Sequence, residues 1–446
     1  MHLLGRSLLR IVRTGTVAVA AALAVCDARA VELNLWVMST TEQQQQDMRE
    51  LLRPFLLRRP DLRVNVTVLS WESAWTKITA AAAAGQGPDV LELGTTWLAA
   101  VASMGALQPL TDAQVQSIGG AKAFLPASWG TTRMAGDPRS YAVPWYSDTR
   151  AAFYRTDVFA KAGVDPKDAF ANWGSFRQAL RRIHGTTIDG RPLAALGYPG
   201  KNDWNVVHNI APWVWNAGGD FLSNDNKRVT LNGPEALHAV SYYAGLAAEG
   251  LVPKDALEQN SSRIETGFFA GQYAVIFSGS WVLKSLRTPK SRGGYLESKA
   301  ANNFAVAPYP AGLAGQFTLC SGSDLAIMNS SRHKEDAWQL VTYLSSHAPQ
   351  VSYARMTGML PARISAMEDP GFNSDPMLAQ FVDQLKHGRH YPPVPSWGPL
   401  ESVFLKNFGS VFDLAAGARG AYTQRGLKQL LDDATREADL VLSTTR

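Results

Sequence analysis

The run Gly85-Gln86-Gly87-Pro88-Asp89-Val90 fixes where one helix must stop and where a buried strand must begin. Ahead of it, Trp71-Glu72-Ser73-Ala74-Trp75-Thr76-Lys77 leads into the alanine-rich run Ile78–Ala84, which reads as helix. Glycine and proline then break the helical backbone. Beyond them, Val90–Leu93 is a short apolar strand that opens onto the loop Gly94-Thr95-Thr96-Trp97. Open α/β sheets bind ligands at loops of this kind, at the carboxyl ends of their strands.

The rest of the chain follows the same alternation. Val31–Val37 alternates in polarity and reads as a first strand, and Val64, Val66 and Val68 mark Arg63–Leu69 as a second. Between them, Ser39-Thr40-Thr41-Glu42 fits a capping box, with Ser39 at the N-cap and Glu42 at N3. The helix it would start carries Met48, Leu51, Leu52, Phe55 and Leu56 on one face, and Pro54 is expected to kink or shorten it. Strand, helix, strand, helix, strand is the pattern of a parallel sheet built from βαβ units. Further on, Glu235–Gly250, Glu335–Ser346 and Gly426–Leu442 read as helices, and Phe304–Pro308 and Leu325–Met328 as strands. Ile264–Phe269 and Tyr273–Phe277 flank Ala270-Gly271-Gln272. The stripe Leu427, Leu430, Leu431, Ala434, Ala438 and Val441 reads as core packing.

The N-terminus has the form of a secretory signal. Arg6, Arg10 and Arg13 precede the uncharged run Thr14–Cys26, and Ala28-Arg29-Ala30 is an A-x-A cleavage site. Cleavage after Ala30 predicts a periplasmic or secreted protein. Lipidation at Cys26 is disfavoured, because Val25 is too large for the residue before a lipidated cysteine. Of the chain's 43 basic and 38 acidic residues, residues 1–30 hold four arginines and one aspartate, so the mature chain has 39 and 37. That near-neutral balance lacks the basic stripe of a nucleic-acid binder and the polybasic patch of a membrane-surface protein. Of the two cysteines only Cys320 lies beyond the signal, so the core alone must hold the fold.

Several segments together carry a family resemblance: Trp71–Trp97; Tyr141-Ala142-Val143-Pro144-Trp145-Tyr146-Ser147-Asp148-Thr149-Arg150 with Phe153-Tyr154-Arg155-Thr156-Asp157; Gly267–Gly271 with Ala274–Trp281; Ser321–Ile327; and Gly358-Met359-Leu360-Pro361-Ala362-Arg363. In this order, behind a signal peptide, the chain resembles the solute-binding proteins of carbohydrate ABC importers, of the maltose- and trehalose-binding type. The resemblance implies a two-lobe α/β periplasmic-binding-protein fold, each lobe a mostly parallel sheet flanked by helices, with the ligand in the cleft between them. It implies lobe 1 from residues 31–142 and 308–346, and lobe 2 from 143–307 and 347–446. It also implies a monomer that captures a di- or short oligosaccharide by hinge closure and hands it to a membrane permease, with no cofactor and no catalysis.

Sugar binding calls for flat rings against pyranose C–H faces and planar polar groups against hydroxyls. All 13 Trp lie beyond the signal, and Trp97, Trp145, Trp213, Trp215, Trp281 and Trp397 sit in apparent loops. Trp97 and Trp281 are the expected platforms, and one of Trp204, Trp213 and Trp215 is expected to join them, with Trp213 chosen. Asp148 matches the family's carboxylate for sugar hydroxyls. Arg363 would donate to hydroxyl oxygens, and Glu42 would combine capping with ligand binding. Tyr146, Thr96, Ser280 and Ser323 are further candidates, and Gly279 and Gly322 would let backbone approach a ligand.

Other chemistry is thin. His387-x-x-His390 does not complete a metal site, and there is no G-x-S-x-G elbow and no phosphate loop. The alternatives to a sugar receptor are a binding protein for a polyamine, sugar alcohol or other solute, and a secreted glycosidase, which would need a carboxylate pair across the sugar ring.

Overall fold

A computed structural model describes residues 30–188 and 190–444 of the chain. The signal segment and Cys26 lie outside the described residues. Thirteen strands are described: β1 (Val31–Met38), β2 (Leu62–Leu69), β3 (Val90–Gly94), β4 (Ala142–Thr149), β5 (Ala151–Arg155), β6 (Thr187–Ile188), β7 (Arg191–Pro192), β8 (Ala194–Gly197), β9 (Tyr273–Ser278), β10 (Phe304–Ala307), β11 (Thr318–Ile327), β12 (Leu360–Pro361) and β13 (Gly388–Arg389). They form two principal sheets. One runs β12-β4-β11-β3-β1-β2, with β13 against β11, and the other runs β10-β5-β9-β8.

The first sheet follows from the opening pattern. The helix Trp71–Ala84 ends at Gly85, which takes the left-handed conformation (φ 61°) that glycine adopts without strain. β3 is buried along its whole length, and β1 pairs in parallel with both β2 and β3. Leu33, Leu35 and Val37 face a core shared with the helix Gln44–Arg58, while β3 residues Leu91 and Leu93 face another core, shared with the helix Trp71–Ala84. Helices therefore cover both faces, as a sheet buried on both sides requires. A third and larger core surrounds the second sheet and includes Leu427, Leu431 and Ala438 of the C-terminal helix.

Three local expectations change. The sheets are mixed rather than mostly parallel: β11 runs antiparallel to β3 and to β4, and β5 runs antiparallel to β9 and β10. The helix after β1 starts at Gln44, not at Thr40, and its N-cap Gln43 makes no side-chain cap bond. Thr41 Oγ1 instead donates to Asp47, 2.5 Å away, so Ser39 and Thr40 stay outside the helix. That helix also continues through Pro54 to Arg58.

Sheet membership locates the crossings between lobes. All of β4 belongs to the first sheet, so the chain leaves it at Arg150 rather than near Ala142. It returns between Ala307 and Thr318. The helix His347–Thr357 stays with the first lobe, where the Tyr353 ring stacks on Trp145 with centroids 4.3 Å apart, and β12 pairs with β4. The final crossing therefore follows Pro361 rather than falling near His347.

The β4–β11 pair carries a register shift between Ser323 and Asp324. Gly322, at φ 135°, precedes it, and a Cβ there would strike the Tyr146 carbonyl. Gly322→Ala is expected to lower the unfolding free energy by at least about 2 kcal/mol in urea titrations; unchanged stability would show that the strand pair can shift to make room.

Candidate functional site

The lobes enclose a cavity of about 550 Å³, lined by Ser39, Thr40 and Trp71 from the first lobe, by Trp204, Asn205 and Glu265 from the second, and by Asp148 and Arg150 at the crossing. Its size falls in the range of roughly 300–1,000 Å³ typical of small-molecule sites. The walls are aromatic. Ring centroids lie 5.5 Å apart for Trp71 and Trp97, and 5.9 Å apart for Trp71 and Trp204. Trp75 supports Trp97 from behind, and the His208 ring meets Trp204 edge-on at 4.7 Å. Trp71 comes from the first lobe and Trp204 from the second, so this aromatic surface spans the cleft.

The polar groups of the cleft are held by one another. Asp148 Oδ1 lies 3.0 Å from Arg150 Nη1 and also accepts from the Ser321 hydroxyl. Arg150 Nη2 donates to Asn205 Oδ1 at 3.1 Å, and its guanidinium lies 4.7 Å over the Trp281 ring. Trp281 Nε1 donates to Glu265 at 2.9 Å, and the Ser278 hydroxyl donates to the same oxygen. Asp203 accepts from the backbone N–H groups of Asn205 and Ser261. Burial raises the Glu265 pKa, and it lowers that of His208 well below the ordinary imidazole value, so His208 is neutral at pH 7.

Below the cleft, Glu92 is fully buried on β3. It accepts from Met38 N–H at 2.6 Å and from the Tyr146 hydroxyl at 2.8 Å, which in turn accepts from Ser323 Oγ at 2.9 Å. Loss of hydration raises the Glu92 pKa from 4.5 to about 7, outweighing these hydrogen bonds.

The sequence-derived candidates divide. Trp97, Tyr146, Asp148 and Trp281 all line the cavity. Gly279 lies beneath the Trp281 ring, where a Cβ would collide with it. Ser280 Oγ donates to the Gly358 carbonyl, and Ser323 Oγ is engaged with Tyr146, so both support the site from outside its lining. Thr96 borders a separate small cavity with Cys320 and His390. Trp213 is buried in the second-lobe core against Tyr242 and Tyr243, and of the three tryptophans weighed together it is Trp204 that lines the cleft. Arg363 is engaged elsewhere: it donates to the carbonyls of Ser345 and Ile118 and covers Phe124 at 4.6 Å. Glu42 lies against Gly293, outside the lining.

The residues that sequence reading passed over are Trp71, Asp203, Asn205, Arg150 and Glu265. A signal existed for the segment Asn202–Asn205: it follows β8 at its carboxyl end, the same position relative to a strand as Gly94–Trp97.

Among the described residues no group of three His, Cys, Asp or Glu side chains could hold a metal ion, and no helix is long and apolar enough to cross a membrane. Cys320 is buried, and burial raises its thiol pKa to about 12.

Two α/β lobes joined by crossing strands around an aromatic, polar cleft define a solute-binding protein of the periplasmic type. The chain belongs to the bacterial extracellular solute-binding proteins, whose family model matches residues 40–351. A Brucella abortus protein named only as a binding protein is 24% identical over 419 residues, covering 93% of this chain and 94% of that one. The sugar-binding protein MalE from Xanthomonas citri superposes with a TM-score of 0.75 at 26% identity, covering 93% of this chain and 98% of that one. Maltose-bound MalE3 of T. maritima superposes with a TM-score of 0.79 at 21% identity, covering 92% and 100%. The first two of these relatives are named as binding proteins.

The raised Glu92 pKa means the folded state holds this proton more tightly than the unfolded chain does. Its contribution to stability is complete below pH 4.5 and is lost as pH rises toward 7. Stability is expected to fall by up to about 3 kcal/mol over that window from this group, and Glu92→Gln should remove that part of the slope. An identical pH profile for Glu92→Gln and the parent chain would show that Glu92 does not titrate there.

Proposed function

We propose that the protein captures a sugar, a di- or short oligosaccharide, in this cleft and delivers it to the permease of an ABC importer after its lobes close. The observation that carries the reading is the pairing of Trp71, Trp97 and Trp204, a continuous indole surface across both lobes, with fixed planar polar groups at Asp148, Arg150 and Asn205. Indole faces suit the C–H faces of pyranose rings, and ionised planar groups suit paired hydroxyls. Of the superposed relatives, one is named a sugar-binding protein and the other has maltose bound. The crossings at Arg150, between Ala307 and Thr318, and after Pro361 would form the hinge.

A polyamine is the second reading. The cavity lining includes the carboxylates Glu72, Asp203 and Glu265 beside tryptophan faces, a pairing that also suits extended cations.

Titration calorimetry separates these readings. Trp204→Ala is expected to weaken binding of a recognised sugar by at least about tenfold, as loss of one stacked ring would. Asp148→Asn is expected to weaken it comparably while leaving the unfolding midpoint within a few degrees. Full sugar affinity in both variants would place the sugar elsewhere, and tight spermidine binding with no sugar heat would favour the polyamine.

A further inference from the structure

Among the described residues lining the cleft Arg150 is the only lysine or arginine, and it stands where the chain passes from the seven-stranded to the four-stranded sheet. Its carbonyl accepts from Thr318 Oγ1 at 2.8 Å, which ties the crossing to β11. Its side chain is 4% exposed. Around its guanidinium stand Asp148 from β4, Asn205 at the start of the helix Asn205–Asn216, and Trp281 at the start of the helix Trp281–Arg287. Its charge also reaches two buried groups of the second lobe: burial raises the Glu265 pKa and Arg150 opposes that rise, while burial and Arg150 together lower the pKa of neutral His208.

The carboxylates of the cleft are not equivalent. Asp203 is taken up by two backbone N–H groups. Glu265 is held by the neutral donors Ser278 and Trp281. Glu72 is exposed on the first turn of its helix. Asp148, 14% exposed, is the cleft carboxylate with a cation in direct contact. A half-buried carboxylate without a counter-ion strongly attracts an ammonium group, because the effective dielectric there is well below that of water. With Arg150 in contact, the pair is close to neutral and still offers carboxylate acceptors. The guanidinium itself is committed to this pair, with Nη1 buried 3.0 Å from Asp148.

We infer that Arg150 is the specificity-determining residue for ligand charge: by neutralising Asp148 it tunes the cleft to an uncharged, hydroxyl-rich solute in preference to an amine-bearing or an acidic one. The inference deepens the sugar reading and rests on it. An amine gains least at Asp148, because that carboxylate already has a cation in contact. Uronates and sugar phosphates are disfavoured because the cleft's one arginine is already committed and the remaining carboxylates repel them.

The test compares affinities by calorimetry at low salt for a recognised neutral sugar, its amino-sugar counterpart, its uronate, and spermidine. In the parent chain the neutral sugar should bind best and the uronate should give no heat. In Arg150→Met the ratio of amino-sugar to neutral-sugar affinity should rise at least about tenfold. Arg150→Lys, which keeps the charge, should hold the parent ratio within about threefold. Joining Asp148→Asn to Arg150→Met removes both charges and should return the ratio to the parent value. Should Arg150→Met not fold, Arg150→Gln reads the same ratio. An unchanged ratio in the neutral variant, a gain that survives in the double variant, or a uronate bound by the parent chain as well as the neutral sugar overturns the inference. Binding of spermidine with no sugar bound by the parent chain would overturn the sugar reading instead. The charge role would then be read separately, as at least about a tenfold gain in spermidine affinity on Arg150→Met, and no gain would overturn it as well.

Discussion

The antiparallel pairing of β4 with β11 is the contact on which the rest of the molecule depends. Its register runs from Ala142↔Ala326 to Thr149↔Cys320 and joins an early strand to a late one. It extends the first sheet beyond the parallel strands β1–β3, and it ends where the chain turns away to build the second sheet. Because the pair stops at Thr149, Asp148 and Arg150 emerge together at the boundary between lobes. Ser321, opposite Asp148 in the register, donates to it, and the Gly322 backbone lets the two strands pass the shift beside Tyr146. The architecture and the polar heart of the cleft are thus one feature of the backbone.

The same pairing explains why the site is rigid within each lobe yet divided between two. Asp148 is held by Arg150 and Ser321, Trp281 by Glu265 and Arg150, and Tyr146 by Glu92 and Ser323. Side chains held by neighbours have little rotamer freedom left to lose when a ligand binds, which favours affinity. The tryptophan surface, by contrast, is assembled from Trp71 and Trp97 on one lobe and Trp204 on the other. In the proposed capture, a ligand touching all three rings would favour one lobe arrangement over others, and binding would bias a conformational equilibrium by that difference in contacts. Burial of Glu92 beneath this surface opposes stability at neutral pH, a cost the surrounding core must offset.

Local order in the sequence made some of this legible. The glycine stop at Gly85, the buried strand at Val90–Leu93 and the amphipathic C-terminal helix depend on neighbours in the chain, and they stand where periodicity placed them. The crossings did not follow from pattern, because polar Ser147, Asp148 and Thr149 belong to β4 itself and only pairing partners distant in sequence end that strand at Arg150. Tryptophans were legible as a class but not one by one. Trp213 and Trp204 are nine residues apart at opposite ends of one helical segment, and one is core while the other faces the cleft. Arg363 shows the same limit: a guanidinium suited to hydroxyls suits backbone carbonyls equally well, and here it closes a gap between Ser345 and Ile118. Arg150 did not stand out, since nothing in the local sequence reveals that Asn205 and Trp281 meet it from the other lobe.

The most direct measurement is thermal unfolding of residues 31–446 against a panel of sugars, sugar alcohols, polyamines and amino acids, followed by chromatography of the sugars. A solute at about 100 times its dissociation constant stabilises its receptor by roughly 2.7 kcal/mol, a shift of a few degrees. A sugar receptor should show that shift for one family of sugars and return the sugar unchanged. A sugar consumed during the assay, or a shift with a polyamine and none with any sugar, would contradict it.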